Sequence, residues 1–214
     1  MELTKHAHAC VSLEKDGGTL VVDPGALTPN AASLLGEADA VLITHEHFDH
    51  VDEDAVAAAL AARPGLTVHG PEAVVGRWRA AHPDQVVAVA DGDRFTVAGF
   101  EVTVHGGVHA EIHRDIPRCA NVGYLVDGAV YHPGDSYHVP SAQVGTLLLP
   151  TSGPWTKLGE AADFVRALEP RRVVQIHELM LSETGQQSTA TFLGPGMLTR
   201  VPLTLLPVGE TLSL

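Results

Sequence analysis

A short segment with three histidines and one aspartate is the strongest chemical signal in the sequence. It reads H-E-H-F-D-H and places His45, His47, Asp49 and His50 directly after the apolar run A-V-L-I-T. In an extended segment, residues two apart point the same way, so His45 and His47 can share one metal ion. The chain then turns, so that Asp49 and His50 can face a second ion. Four coordinating side chains at the end of a buried strand favour a metal site over a solvated loop that caps the next helix.

One short loop cannot complete two metal sites, so further ligands must come from the ends of other strands. Asp135 ends Y-H-P-G-D, in which Pro-Gly favours a tight turn just beyond a strand, although a structural Asx turn would use the same residues. His177 ends the apolar run R-R-V-V-Q-I, where a buried core histidine is the alternative. His105, His109 and His113 compete for one remaining place, and we favour His109.

Hydrophobic periodicity predicts an alternation of short strands and helices that suits a layered α/β protein. An internal echo, V-V-D-P-G at residues 21–25 and Y-H-P-G-D at residues 131–135, suggests a sandwich of two related halves. The predicted helices are Asp54–Ala62, Glu72–Ala80 and Leu158–Leu168. The predicted strands are Thr19–Val22, Val41–Thr44, Leu66–His69, Val86–Val89, Phe95–Val97, Glu101–His105, Val122–Val126, Ala129–His132, Thr146–Leu149, Arg172–Ile176 and Leu203–Leu206, with a turn at Ala98-Gly99 between the fifth and sixth.

Composition and charge narrow the class of protein. The 214 residues, with no linker or low-complexity tract, predict a single domain over residues 1–214. Asp and Glu number 26 against 13 Lys and Arg, a formal charge of −13 that disfavours a nucleic-acid partner. Two cysteines suit a reducing cytoplasm, and the longest helical apolar stretch, Ala55–Ala62, is too short to span a membrane. The 13 histidines point to metal or proton chemistry.

The order of these motifs resembles that of the metallo-β-lactamase-fold hydrolases over nearly the whole chain. The shared order is H-x-H-x-D-H, a later His, then G-D, then a His at the end of a strand. The opening H-A-C-V followed by V-V-D-P-G resembles the small metal-dependent hydrolases and ascorbate-6-phosphate lactonase-like proteins of that superfamily. The resemblance implies an α/β fold, a four-layer αβ/βα sandwich with the metals at one edge between two sheets.

The resemblance also implies a ligand set and its limits. It assigns His45, His47 and His109 to a first metal, Asp49, His50 and His177 to a second, and Asp135 to a bridging position. Asp23 would orient a ligand through hydrogen bonds. Antibiotic hydrolysis is not implied, because the motif around Asp135 differs from that of the common β-lactamases. Nuclease activity is not implied either, because an acidic chain of this length has no room for the extra arms of the nuclease branches.

The expected function is that of a binuclear hydrolase acting on a small-molecule ester, lactone or phosphoester. Two divalent ions, zinc first and manganese or iron as alternatives, would hold a bridging water and supply hydroxide at neutral pH. Asp49, Asp135 and His138 are the predicted catalytic residues. His138 or His113 could protonate the leaving group, although we favour a surface or ligand-orienting role for each of these two histidines. Trp155 and Lys157 could wall the pocket, although we favour a loop anchor and a solvated helix start.

Two other functions share the same residues. An iron-dependent redox enzyme could use the same fold, and a metal-binding protein without catalysis could use the metals only to hold its sheets together. Neither membrane nor nucleic-acid partners are expected, and the sequence predicts no oligomeric state.

Overall fold

The computed structural model describes residues 1–214 and contains fourteen strands and five helices. The helices are α1 Ala31–Glu37, α2 Glu53–Ala62, α3 Glu72–Val75, α4 Leu158–Leu168 and α5 Glu183–Phe192. The strands are β1 Glu2–Lys5, β2 Val11–Lys15, β3 Gly18–Val22, β4 Ala40–Leu42, β5 Thr67–Gly70, β6 Val86–Ala88, β7 Arg94–Val97, β8 Phe100–His105, β9 Gly123–Val126, β10 Val130–His132, β11 Thr146–Pro150, β12 Arg172–Ile176, β13 Leu203–Thr204 and β14 Thr211–Ser213.

The strands form two seven-stranded mixed sheets, and the first combines six N-terminal strands with the C-terminal strand β14. The first sheet has the order β14-β1-β2-β3-β4-β5-β6, and the second has the order β13-β12-β11-β10-β9-β8-β7. In each sheet, antiparallel strands give way to parallel ones. The change falls at β3, which pairs antiparallel with β2 and parallel with β4, and at β10, which pairs antiparallel with β9 and parallel with β11.

The echo seen in the sequence coincides with this change of direction. V-V-D-P-G lies at the end of β3 and Y-H-P-G-D at the end of β10, so the two motifs occupy equivalent places in the two sheets. In each sheet the parallel strands that follow end at the same edge, where side chains on successive loops can meet. This topology explains how distant motifs reach one site.

Three apolar clusters separate four layers. The central cluster lies between the sheets and includes Leu20 and Leu42 from the first sheet and Val104 and Tyr124 from the second. A second cluster packs the first sheet against α1, α2 and α3, and a third packs the second sheet against α4. The prediction of a four-layer αβ/βα sandwich is confirmed.

The predicted elements differ from the observed ones in a few places. All eleven predicted strands are present with ends shifted by at most two residues, and α4 has the predicted bounds. The predicted helix from Glu72 to Ala80 ends already at Val75, because Gly76 favours helix weakly and the chain continues as separate turns. Strands β1, β2 and β14 and helices α1 and α5 were not predicted. None of the five helices combines the length and the apolar character needed to cross a lipid bilayer.

Candidate metal centre

The H-E-H-F-D-H segment lies at the edge where the two sheets meet. His45 follows β4 and forms an isolated bridge with Asn121, which belongs to the second half of the chain. Its Nε2 lies 3.1 Å from Nδ1 of His47. The backbone NH of His50 then donates to the His47 carbonyl at 2.9 Å, so the chain turns after His47. His45 and His47 therefore lie with one group of potential ligands, and Asp49 and His50 lie with another.

The surrounding loops complete two groups of four side chains. In each group, the atoms that could bind a metal all lie within 4.8 Å of one another. The first group consists of His45, His47, His109 and Asp135, and the second of His8, Asp49, His50 and His177.

Asp135 faces both groups. Its Oδ2 lies 3.3 Å from Nε2 of His109, in the first group. Its Oδ1 lies 3.1 Å from Nε2 of His50 and 3.3 Å from Nε2 of His177, in the second group. With one oxygen toward each group, this carboxylate has the geometry that a bridging ligand needs.

Unpartnered polar atoms in the cluster test whether these residues fit a metal. Nε2 of His50, His109 and His177 and Oδ1 of Asp135 are buried and form no hydrogen bond. A buried polar atom without a partner costs about 1–3 kcal/mol, so such a concentration would destabilise the fold unless another group satisfied it. Imidazole nitrogens and carboxylate oxygens are ligands of zinc, iron and manganese. The residues therefore fit two divalent cations.

Contacts behind the cluster orient the histidines. Nδ1 of His50 lies 2.6 Å from Oδ2 of the fully buried Asp23. The backbone NH and the hydroxyl of Thr44 also donate to the Asp23 carboxylate, at 2.7 Å each. Nδ1 of His109 lies 2.6 Å from the Ala110 carbonyl. Such contacts fix ring orientation in metal sites, and the contact expected of Asp23 is present.

The electrostatics of the cluster favour ionised carboxylates. Burial would raise the pKa of Asp49, but the adjacent imidazoles of His177 and His8 outweigh burial and lower this pKa. Burial likewise opposes the charge on Asp135, yet His50 and His109 hold its pKa well below the usual value. Burial lowers the pKa of His45 well below its ordinary value, which keeps the ring neutral as metal binding requires.

Three local features position Asp135: the close packing at Gly134 and two hydrogen bonds. Gly134 has a φ of +62°, and a Cβ there would lie 2.3 Å from Oδ1 of Asn121 and 2.7 Å from Cβ of Thr44. The same Asn121 oxygen accepts a hydrogen bond from the backbone NH of Asp135 at 2.9 Å. Trp155 donates from Nε1 to Oδ2 of Asp135 at 2.8 Å.

Three other histidines that the sequence offered as ligands or acids lie outside the two groups of potential ligands. His113 is exposed beside Asp115, and His105 packs against Tyr131, so only His109 of the three competing histidines reaches the cluster. His138 is exposed and its ring packs against Gly106, away from the cluster, because the chain leaves the site immediately after Asp135. A role for His138 as the acid beside the metals is therefore not supported by its position.

Trp155 and Lys157 of the P-W-T-K segment differ in burial and in position relative to the cleft. Trp155 is buried and lines the cleft above the cluster. Lys157 is exposed, pairs with Glu160 at 3.7 Å and lies outside the cleft, which agrees with the favoured interpretation of a solvated helix start.

His8 is the residue of the cluster that sequence reasoning missed. It is fully buried, and its Nε2 lies 3.0 Å from Oδ2 of Asp49. Its ring centroid is 3.8 Å from that of His177, whose backbone NH donates to the His8 carbonyl. The H-A-C-V motif contained this histidine, but it served only as a mark of resemblance.

Comparison with known proteins agrees with this architecture. A family model described as a beta-lactamase superfamily domain matches residues 2–177. Protein Rv0786c of Mycobacterium tuberculosis is 34% identical over 191 residues, which cover 85% of this chain and 86% of that protein. A UPF0173 metal-dependent hydrolase of Myxococcus xanthus is 31% identical over 200 residues, 82% of this chain and 70% of that protein.

A solved structure shows the same fold. Igni18, a metallo hydrolase from Ignicoccus hospitalis, superposes with a TM-score of 0.74 at 20% identity, over 99% of this chain and 97% of that one. With the family model and the relatives above, the chain belongs to the metallo-β-lactamase superfamily, among its metal-dependent hydrolases.

Proposed function

We propose that this protein is a binuclear metal-dependent hydrolase that acts on a small ester, lactone or phosphoester. The position of Asp135 is the observation that carries the proposal, because one carboxylate presents an oxygen to each of two groups of potential ligands. A site that only held the sheets together would need one complete group of ligands, whereas this cluster has two, and they line an open cleft of about 610 Å³.

The residues of the chain supply binding and orientation. When bound, divalent ions would lower the pKa of a coordinated water molecule and polarise the substrate oxygen. His45, His47 and His109 would hold one ion, while Asp49, His50 and His177 would hold the other. Trp155 fixes the Asp135 carboxylate through the hydrogen bond to Oδ2 and also closes one wall of the cleft.

We further propose zinc as the resident metal and the cytoplasm as the location. The ligand atoms are nitrogens and oxygens, a set that suits zinc and is also compatible with manganese or iron. Both cysteines are free, as expected in a reducing compartment.

The first test is elemental analysis of protein purified without chelator or histidine tag. We expect about two equivalents of zinc or manganese per chain, as a binuclear site requires. Iron as the major metal would favour redox chemistry instead. Absence of any metal after reconstitution would overturn the proposal.

The second test separates catalysis from structural metal binding. In Asp135→Asn we expect turnover of esters, lactones or phosphodiesters to be lost while the cooperative unfolding transition remains. Asp163→Asn is the matched control, since Asp163 is exposed on α4 and lies outside both groups of potential ligands and outside the cleft. A sharp loss of stability in Asp135→Asn, with no turnover by the wild-type protein on any substrate, would favour a purely structural site.

A further inference from the structure

Four large apolar or aromatic side chains surround the mouth of the cleft, each on a different loop. They are Phe48, Ile112, Trp155 and Met180. Phe48 is 65% exposed, the largest exposed fraction among the large hydrophobic residues of this chain, and Met180 is 59% exposed. Exposed apolar side chains gathered around a concave site are typical of a ligand-binding surface.

The loops that carry the metal-binding residues also hold these apolar side chains in place. Phe48 lies between His47 and Asp49, and its carbonyl accepts a hydrogen bond from Ala26 at 2.8 Å. Met180 follows His177 by three residues, and Ile112 follows His109 by three. A substrate bound at the cluster would therefore lie close to these side chains.

The charged side chains of the cleft outside the cluster do not favour an anionic substrate. They are Glu46, Glu53 and Arg77. Arg77 forms an ion pair with Glu53 and lies 4.0 Å from Glu46, so its charge is already balanced by these two carboxylates. Arg118 lines a small crevice that adjoins the cleft through His47 and His109, and its Nε donates to the His109 carbonyl.

We propose that the substrate is a neutral carboxylic ester, thioester or lactone whose acyl chain or aromatic ring lies against Phe48 and Met180. This inference rests on the proposed hydrolase function and selects among its substrates. In the reaction, the oxygen of water bonds to the carbonyl carbon and the bond to the leaving oxygen or sulfur breaks. One proton of the water goes to that leaving atom, and the other is released when the new carboxylic acid ionises. A phosphate monoester would find no unpaired cation in this cleft beyond the metals.

A binding experiment tests the apolar surface without turnover. The probe is N-phenyl-1-naphthylamine, a neutral dye whose fluorescence rises in apolar surroundings. We expect it to bind the metal-loaded wild-type protein, and the double variant Phe48→Ser/Met180→Ser to bind it about tenfold more weakly. Phe192→Ser/Met197→Ser is the matched control, because these side chains are also exposed but lie outside the cleft. Equal binding by the wild type and the cleft variant would overturn the inference.

A turnover series then tests the substrate class. For p-nitrophenyl acetate, butyrate and octanoate we expect kcat/KM to rise about two- to fourfold for each methylene that contacts Phe48 or Met180. The rise should flatten in Phe48→Ser/Met180→Ser but persist in the control variant Phe192→Ser/Met197→Ser. Faster turnover of p-nitrophenyl phosphate than of the octanoate ester would overturn the inference. If no compound is hydrolysed but dye binding still depends on Phe48 and Met180, the hydrolase proposal fails and the apolar cleft remains supported.

Discussion

His8 and His177 both adopt left-handed backbone conformations, with φ of 59° and 55°. For residues other than glycine such conformations cost about 1–3 kcal/mol each and persist only where the surrounding structure enforces them. Here the two residues are joined by a backbone hydrogen bond, and both side chains contact Asp49. The strain places two imidazole rings on one carboxylate, which is the arrangement a metal site would require.

We predict that His8→Ala weakens metal binding at the second group of ligands. The variant removes the contact with Asp49 Oδ2 at 3.0 Å, and loss of such an orienting or ligating contact typically lowers metal affinity about 10- to 100-fold. Stepwise zinc titration by calorimetry measures the two sites separately. His6→Ala is the control, because His6 is also buried nearby but contacts Ser12 instead. Unchanged affinity at both sites in His8→Ala would contradict this role.

We predict that Trp155→Phe lowers activity with little change in stability. The phenyl ring keeps the aromatic packing against Tyr137, whose centroid lies 5.0 Å away, but loses the hydrogen bond to Asp135. Loss of such an outer contact should reduce kcat/KM by about tenfold. Trp78→Phe provides the comparison, since Trp78 packs in the apolar cluster between the first sheet and the helices that cover it. Equal activity of the two variants would argue against the role of Trp155.

The sequence signals a residue of the cluster most clearly where that residue follows an apolar strand. His45, Asp135 and His177 are polar groups at the ends of apolar runs, and this local contrast is visible without a structure. His8 lacks that signal, because it precedes its neighbouring strand β2 and its partner Asp49 is 41 residues away. Only the folded sheets bring the two together.

At the scale of elements, prediction succeeded where one face of a strand or helix is buried. Helix α4 buries Ala161, Phe164 and Val165 and was predicted with its observed ends. Helix α5 buries no residue and is rich in Thr and Gln, so it offers no apolar periodicity. Helix α1 has seven residues and two buried positions, too few to reveal a helical period. Strand β1 is defined by pairing with β2 and β14 rather than by its own four residues.

The turns at the two ends of β10 allow a controlled test of how the fold positions Asp135. Gly128 and Gly134 have nearly the same φ, 61° and 62°. A Cβ at Gly128 meets nothing within 4 Å, whereas a Cβ at Gly134 meets Asn121 and Thr44. We predict that Gly128→Ala costs about 1 kcal/mol of unfolding free energy from backbone strain alone. Gly134→Ala should cost a further 1–3 kcal/mol, roughly, because of the overpacking.

Urea unfolding of both variants measures this difference, and metal content provides a second readout. Gly134→Ala should also lose bound metal, since the displaced turn carries Asp135. Equal stability of the two variants, with full metal content in both, would mean that the close packing at Gly134 affects neither the unfolding free energy nor metal binding.

At the scale of the whole molecule, each group of ligands joins the two sheets. His45 and His47 follow a strand of the first sheet, whereas His109 and Asp135 follow strands of the second. The second group likewise combines Asp49 from the first half with His177 from the second. Bound metal should therefore stabilise the packing of one sheet on the other.

We predict that chelation lowers the unfolding temperature. A ligand at about 100 times its Kd stabilises the folded state by about 2.7 kcal/mol per site, equivalent to roughly 5–10 °C for a protein of this size. Calorimetric scans with and without a chelator measure this shift. His113→Ala should show the same shift as the wild type, because His113 lies outside the cluster. Identical scans of the metal-loaded and chelated wild-type protein would contradict the prediction.

The acid stability of the molecule depends on a buried histidine at the junction of the sheets. His69 of β5 stacks on Phe95 of β7, in the other sheet, with ring centroids 4.6 Å apart. Burial lowers the pKa of His69 to about 4, whereas the unfolded chain keeps an ordinary value of about 6.5. Between these pH values the unfolded state binds more protons than the folded state. The contribution of neutral His69 to the unfolding free energy is therefore complete above about pH 6.5 and is lost as the pH falls toward 4.

We predict that metal-free wild-type protein loses about 2 kcal/mol more unfolding free energy than His69→Leu between pH 7 and 4.5, as measured by urea titration. Parallel pH profiles for the two proteins would mean that His69 is protonated in the folded state without cost.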